Sequence, residues 1–465
     1  MARIDPARRV AFDVLRAVAD RDAYANLLLP SLLTERGIAG RDARFATELT
    51  YGTLRGLGSY DAILAACSDR PVAKLDPAVR DILRLGTHQL LGTRTGAHAA
   101  VSTSVDLTRR VVGPRPSGFV NAVLRRVAMR DLSSWLDLVA PDRAKDETGY
   151  LSVRHSYPRW IVESFRAALA DPAELEQALA AGNERPEVTL AVLPLTPSVP
   201  IAGTRATRWS PFGAVLADGG DPAPLIAGGR AAAQDEASQL VALALNRVPL
   251  EGPASASRHW LDVCAGPGGK ARLLAHLAAR DDARLLAAEL HPHRAARVRE
   301  ALGRGADGHV GTDVVGAPAL LEASAVVTAD GLRPAWRAGG FDRVLADVPC
   351  TGLGSLRRRP EARWRKSDQD LPTLTELQRG LLEVALDSAR LGGVVAYVTC
   401  SPHLAETRDV VTAVADRRTD AELLDAPAIL PEVPDLATPG EPRFAQFWPH
   451  RHGTDAMFLA LLRKR

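Results

Sequence analysis

The chain has 465 residues, 46% of them apolar, which exceeds what one hydrophobic core usually organises, so two or three domains are expected. Its formal charge of +3 is uneven: residues 1–140 hold 20 Arg/Lys against 14 Asp/Glu, a local +6, leaving −3 elsewhere, which suits a phosphate-binding front domain although an Arg-rich proteome would give the same bias. No stretch nears ~18 consecutive apolar residues, and Met1-Ala2-Arg3-Ile4-Asp5-Pro6 leads into a charged helix, so neither a membrane span nor a secretory leader is expected and the protein reads as cytoplasmic.

From Pro6 to about Met129 apolar residues recur at helical spacing, as in Val10, Val14, Leu15 and Val18, then Leu27, Leu28, Leu32 and Leu33. Turn signals at Arg36-Gly37, Asp69-Arg70-Pro71 and Gly113-Pro114-Arg115-Pro116 cut this region into short helices, predicting an all-α domain over 1–140. Asp76-Pro77 reads as a helix cap with a first-turn proline. Arg80, Arg84, Arg109, Arg110, Arg125 and Arg126 decorate these helices, either as a solvated surface or as an RNA-facing one. Residues 141–230 mix a helix, Trp160 to Leu169, with the strand-like run Val188 to Leu193, and are expected to form a small α/β insert. From residue 231 to 465 strands alternate with helices: Trp260 to Val263, Arg284 to Leu290, Arg343 to Asp347 and Gly393 to Thr399 predict a doubly wound, mainly parallel, Rossmann-like sheet.

Four cysteines (67, 264, 350 and 400), without a CxxC or paired histidine ligands, make neither a disulfide framework nor a zinc site, and no metal is expected. Cys67 reads as core. Strand Trp260 to Val263 runs into Cys264-Ala265-Gly266-Pro267-Gly268-Gly269-Lys270, a Gly-rich turn that lets backbone approach a nucleotide. It is not a Walker A loop, which needs Gly where Cys264 stands and Ser/Thr where Ala271 stands, and Ala271 also breaks the dinucleotide fingerprint. About twenty residues on, Glu289 ends the next strand, where such an acid binds ribose hydroxyls. A ribose acceptor without a diphosphate cradle points to a mononucleoside cofactor, of which S-adenosylmethionine is the common one; Asp330 is placed to meet an adenine amino group.

Two thiols stand at predicted strand exits, Cys350 in Asp347-Val348-Pro349-Cys350 and Cys400 in Val398-Thr399-Cys400-Ser401, on the carboxyl edge where open α/β sheets hold ligands. If the strands are parallel the sulfurs are close; otherwise each is an inert buried cysteine. Paired thiols beside a nucleoside loop suit methylation of cytosine at carbon 5, a poor nucleophile until a thiolate adds at carbon 6. That step needs a thiolate, a donor near N3, which a protonated or proton-sharing Asp347 would supply, and a base for the carbon 5 proton, either the second thiol or water. Arg357-Arg358-Arg359 and Arg363-Trp364-Arg365-Lys366 form a basic loop with one aromatic, a phosphate and base-stacking surface for RNA.

Together with Gln234-Asp235-Glu236-Ala237-Ser238-Gln239 and Phe119-Val120-Asn121-Ala122-Val123-Leu124-Arg125, these motifs resemble, over nearly the whole chain, the RsmB/Sun (Fmu) family of 16S rRNA cytosine-5 methyltransferases in the NOL1/NOP2/Sun group. The resemblance implies a NusB-like RNA-binding front domain and a methyltransferase domain using S-adenosylmethionine. It implies Cys400 as nucleophile, Cys350 as the thiol that assists product release, and cofactor contacts from Cys264 to Lys270 and at Glu289, Arg294, Asp330 and Asp347. The implied partner is RNA, 16S rRNA of the small subunit, met by a monomer away from membranes. Gly266 stands where the family often has Ala, Glu289 replaces the usual Asp, and the long segment from Gly305 to Val327 weakens the place of Asp330. Three rival readings are a DNA cytosine-5 methyltransferase, which would use the Pro-Cys thiol as nucleophile, a NusB-like assembly factor with a non-catalytic second half and, more distantly, a redox sensor that uses Cys350 and Cys400 as a thiol pair.

Overall fold

Helix signals written in the sequence are used as such in the computed structural model, which describes residues 5–194, 203–217, 220, 222–227, 230–252, 258–303 and 324–465. The stretch 304–323, most of the segment preceding Asp330, lies outside the described residues. By compactness the chain divides into two units, one of residues 1–166, 173–184 and 356–366, the other of 167–172, 185–355 and 367–465.

The first unit is helical. Asp5 caps α1 (Pro6–Arg21) by accepting from the Arg8 N–H at 2.9 Å, and Asp76 caps α5 (Pro77–Leu91) by accepting from Ala78 and Val79, each with proline in the first turn. Between them lie α2 (Ala25–Glu35), α3 (Gly40–Arg55) and α4 (Leu57–Cys67), and after them α6 (Ala97–Val111), α7 (Ser117–Val127), α8 (Leu132–Val139), α9 (Glu147–His155), α10 (Arg159–Ala168) and α11 (Pro172–Ala181). Val10, Val14, Leu49, Ile63, Cys67, Ile82 and Leu124 join in one buried cluster. On α2 the register differs from expectation: Ala25 and Leu29 are the buried positions, while Leu27 is 53% exposed.

Two corrections concern boundaries. The helices of 147–166 and 173–181 belong to the helical unit rather than to an insert beginning at 141. What remains of the insert is an antiparallel sheet in the order β2-β3-β1-β4, with β1 (Thr189–Val192), β2 (Thr204–Ala206), β3 (Gly213–Leu216) and β4 (Ala231–Ala233), which belongs to the second unit.

The second unit is built on a nine-stranded sheet. Five strands pair in parallel in the order β7-β6-β5-β8-β9: β5 (Arg258–Asp262), β6 (Ala283–Glu289), β7 (Ser324–Thr328), β8 (Phe341–Asp347) and β9 (Ala389–Thr399). Strand order reverses between β5 and β8, the switch point where ligands of such sheets bind. The sheet is mixed rather than mainly parallel, because β13 (Phe458–Lys464) runs antiparallel to β9 and carries β12 (Glu441–Gln446), β11 (Ala437–Thr438) and β10 (Ala421–Leu424). This unit also holds α12 (Ala223–Ala227) and α15 (Pro292–Ala301); alternation along β9 sends Val394, Ala396 and Val398 into one core with α13 (Glu236–Arg247) and α14 (Gly269–Arg280), and Val395 and Tyr397 into the other with α16 (Leu371–Ser388). Among the described residues no helix is long and apolar enough to cross a membrane.

Candidate active site

All five parallel strands end on one edge, and each delivers a polar residue there: Asp262 from β5, Glu289 from β6, Asp330 just past β7, Asp347 from β8, and Cys400 directly after β9. Cys350 follows three residues after β8, and its Sγ lies 3.4 Å from that of Cys400. The expectation that parallel pairing would bring the thiols together holds, through the β8–β9 register of Asp347 against Val398.

The turn after β5 is closely packed at two of its glycines. A side chain at Gly266 would strike the Glu289 carboxylate, 2.1 Å from a Cβ placed there, and Gly268, at φ 113°, would strike Ala301 of α15 (Pro292–Ala301). Glu289 is buried, accepting from the Gly266 N–H at 3.1 Å and from the His291 N–H at 3.0 Å. Arg294 donates to the Gly266 carbonyl at 2.7 Å and lies 3.6 Å from Glu289. The acid therefore braces the loop, with further acceptor capacity on each oxygen. Asp330 caps its own turn, accepting from Leu332 at 2.9 Å.

At the switch point Lys270 Nζ donates to Asp347 Oδ2 at 2.8 Å. Burial works against this ammonium, but the charge and hydrogen bond of Asp347, with Cys400 and Asp262 behind, raise its pKa. The expected donor Asp347 is thus found in a direct ion pair with Lys270. Burial, then repulsion from Asp347, pushes the Asp262 carboxyl up to about 8. Its Oδ2 is buried with no hydrogen-bond partner among the described residues. Burial likewise pushes the Cys264 thiol well up, with Asp262, Asp347 and Glu289 adding to it. Cys350 is raised by its hydrogen bond to Cys400, then by burial, then by repulsion from Cys400 and Glu406.

These features fit a mononucleoside cofactor: a glycine cradle closed against side chains, a row of acids along the strand ends, and an orphan buried carboxyl oxygen at the switch point. Asp262 and Glu406 were missed as site residues by the sequence reading, and Lys270 and Asp347 were expected there singly rather than as a pair. Asp262 had a signal, since it ends β5 as Glu289 ends β6.

The basic loop after Cys350 is a second correction. Arg363, expected at the surface, has no exposure and belongs to the helical unit. Its Nη1 donates to Asn183 Oδ1 at 2.7 Å and to the carbonyls of Ser156 and Arg55, its Nη2 to Tyr157 Oη and the Gly182 carbonyl, both at 2.9 Å, and it stacks 3.7 Å over the Tyr157 ring. Arg365 donates to the Ala23 carbonyl and lies over Tyr24, and Trp364, 39% exposed, packs where a side chain on Gly58 would sit. Arg357, Arg358, Arg359 and Lys366 are half-buried. Among the front arginines Arg84 is taken up by Asp61 and Asp81, while Arg109 and Arg125 line a cleft of about 570 Å³ with His98 and Asn121.

Comparison with known proteins adds names to this geometry. A family model described as 16S rRNA methyltransferase RsmB/F matches residues 252–463, and one described as the NusB family matches residues 5–129. The chain is 50% identical over 470 residues to MT1451 of Mycobacterium tuberculosis, provisionally designated a methyltransferase, covering 99% of this chain and 97% of the relative. It is 31% identical over 435 residues to the ribosomal RNA small subunit methyltransferase B of Pseudomonas putida, covering 90% and 91%. In fold it is similar to the crystal structure of PH0851, with a TM-score of 0.77, 20% identity and full coverage of both chains.

Proposed function

The chain belongs to the RsmB/F family of rRNA methyltransferases, and from that premise we propose that it methylates carbon 5 of a cytidine in 16S rRNA through a covalent bond between Cys400 and the base. The observation that carries this reading is the 3.4 Å approach of the two sulfurs on the ligand edge of the sheet. S-Adenosylmethionine fits the cradle formed by Cys264, Ala265, Gly266, Pro267, Gly268, Gly269 and Lys270, with Glu289 and Arg294 bracing it and Asp330 and Asp347 alongside. When bound, it supplies a methyl group that carbon 5 takes as the methyl–sulfur bond breaks, the electron pair staying on the donor sulfur.

Every other step belongs to the protein. Cys400, as thiolate, forms a bond to carbon 6, and the electrons of the carbon 5–carbon 6 double bond make carbon 5 nucleophilic. The ammonium of Lys270 stabilises the thiolate and is the donor for charge building on the ring. Cys350, held as a thiol, passes its proton to the departing Cys400 sulfur and takes the carbon 5 proton in return, so the double bond re-forms as the sulfur–carbon 6 bond breaks. The target base must be unpaired or extruded to reach the thiols. Arg357, Arg358, Arg359 and Lys366 remain candidates for phosphate contact, with Trp364 for stacking and Arg109 and Arg125 on the helical unit.

The test is incubation with labelled S-adenosylmethionine and unmodified small-subunit rRNA, followed by nucleoside analysis. Labelled 5-methylcytidine is expected, and its absence with label elsewhere would overturn the reading.

A further inference from the structure

Glu406 is fully buried six residues beyond Cys400, yet none of the chemistry above uses it. Its Oε1 accepts from the Thr351 N–H at 2.7 Å and from Gln378 Nε2 at 3.1 Å. Its Oε2 accepts from the Thr351 hydroxyl at 2.5 Å and the Ser401 hydroxyl at 2.7 Å. Thr351 follows Cys350 and Ser401 follows Cys400, so one carboxylate grips the neighbour of each sulfur. Gln378, from the other side, also donates to the carbonyl of Pro349, the residue before Cys350, at 2.8 Å. Tyr397 Oη donates to the backbone carbonyl of Glu406 at 2.7 Å, tying the grip to β9.

We propose that Glu406 is a positioning residue that clamps the Cys350 turn to the Cys400 turn and so sets the distance between the two sulfurs. A buried carboxylate is costly unless its lone pairs are filled, and four donors from three elements fill these. The Thr351 and Ser401 hydroxyls also lie 3.1 Å from each other, so the two gripped residues touch as well. Gly354 closes the same corner: its N–H donates to the Cys400 carbonyl at 2.9 Å, and a Cβ there would lie 1.8 Å from the Ala456 carbonyl. The Glu406 charge also helps keep Cys350 a thiol, behind its hydrogen bond to Cys400 and its burial.

This inference rests on the reading of both thiols as reacting groups, so its test includes a readout that needs no methyl transfer. Full-length Glu406→Ala and Glu406→Gln are assayed on small-subunit rRNA with labelled S-adenosylmethionine. In parallel, the rate at which diamide joins Cys350 to Cys400 without RNA is followed by peptide mapping. Because small misplacements of reacting groups are costly, Glu406→Ala is expected to lower kcat by ~10²-fold and disulfide formation by about tenfold, with KM for S-adenosylmethionine unchanged. Glu406→Gln is expected to restore most of both, since its amide oxygen accepts from Thr351 N–H and its amide nitrogen donates to the two hydroxyls. Wild-type kcat or wild-type cross-linking in Glu406→Ala, or Gln performing no better than Ala, would overturn the clamp. If Glu406→Ala does not fold, the double variant Thr351→Ala/Ser401→Ala takes its place, and an unchanged cross-linking rate there overturns the clamp equally. An active Cys400→Ala enzyme would instead sink the covalent mechanism while leaving the cross-linking result to decide on Glu406.

Discussion

Two buried cations in this protein are neutralised in opposite ways. Lys270, at the strand ends, faces carboxylates: Asp347 in direct contact, with Asp262 contributing through its charge. Arg363, in the helical unit, donates to neutral oxygens of Tyr157, Asn183 and three carbonyls, with the Arg55 charge repelling it. Burial accordingly pulls Arg363 down to about 10, whereas Lys270 is raised. Fixed dipoles arranged around a planar fork make a rigid joint. A lysine among acids makes a site whose charge state a ligand can alter. The first arrangement predicts a stability role for Arg363, and the second a chemical role for Lys270.

The largest effect separates the thiols from everything else. Cys400→Ala is expected to remove turnover by ~10⁴-fold or more, as loss of a nucleophile does, while unfolding by urea stays near wild type. Cys350→Ala is expected to trap a protein–RNA adduct visible on denaturing gels. Adduct in Cys400→Ala instead would exchange the two roles. Next comes Lys270→Met, which leaves Asp347 without its cation beside Asp262. A loss of ~10²-fold in kcat/KM is expected from removing one preorganised charge, and an unchanged kcat/KM would place Lys270 with Arg363 as architecture.

Arg363→Ala tests the other side of the comparison. It takes the donor from Tyr157 Oη, Asn183 Oδ1 and the Gly182 carbonyl, and about 3 kcal/mol of stability is expected to be lost. Arg363→Lys is expected to recover little, because an ammonium cannot reproduce the fork. Urea unfolding of the full chain measures both. A stable Arg363→Ala protein with weakened RNA binding would restore the surface role first expected for it.

The same contrast explains what was legible in the sequence. Buried apolar runs announce strands, so β5, β6, β8 and β9 lie within a few residues of their expected positions, and the strand exits carry the thiols and acids with them. Strands with little apolar contrast were not read: every residue of β10 is half-buried, and β11 has two residues. Arg363 sits in a run of charges that resembles a solvated loop, and what encloses it, Tyr157 among others, lies far earlier in the chain. Glu406 is silent for a related reason, being one acid in a turn whose four donors meet only after folding.

The smallest expected effect concerns the orphan acid. Asp262 is raised from 3.8 to about 8 in the folded protein by burial and by Asp347. Between those values the folded state holds a proton that the unfolded state has released, so stability falls as pH rises through this window and levels off above it. Asp262→Asn removes that proton equilibrium and keeps the shape. The variant is therefore expected to lose less stability than wild type between pH 5 and about 8. Urea midpoints at the two pH values measure it, with the ligand-free protein as reference. Parallel slopes for the two proteins would mean that Asp262 is already ionised in the fold, and the cluster at the strand ends would then carry one more negative charge for Lys270 to balance.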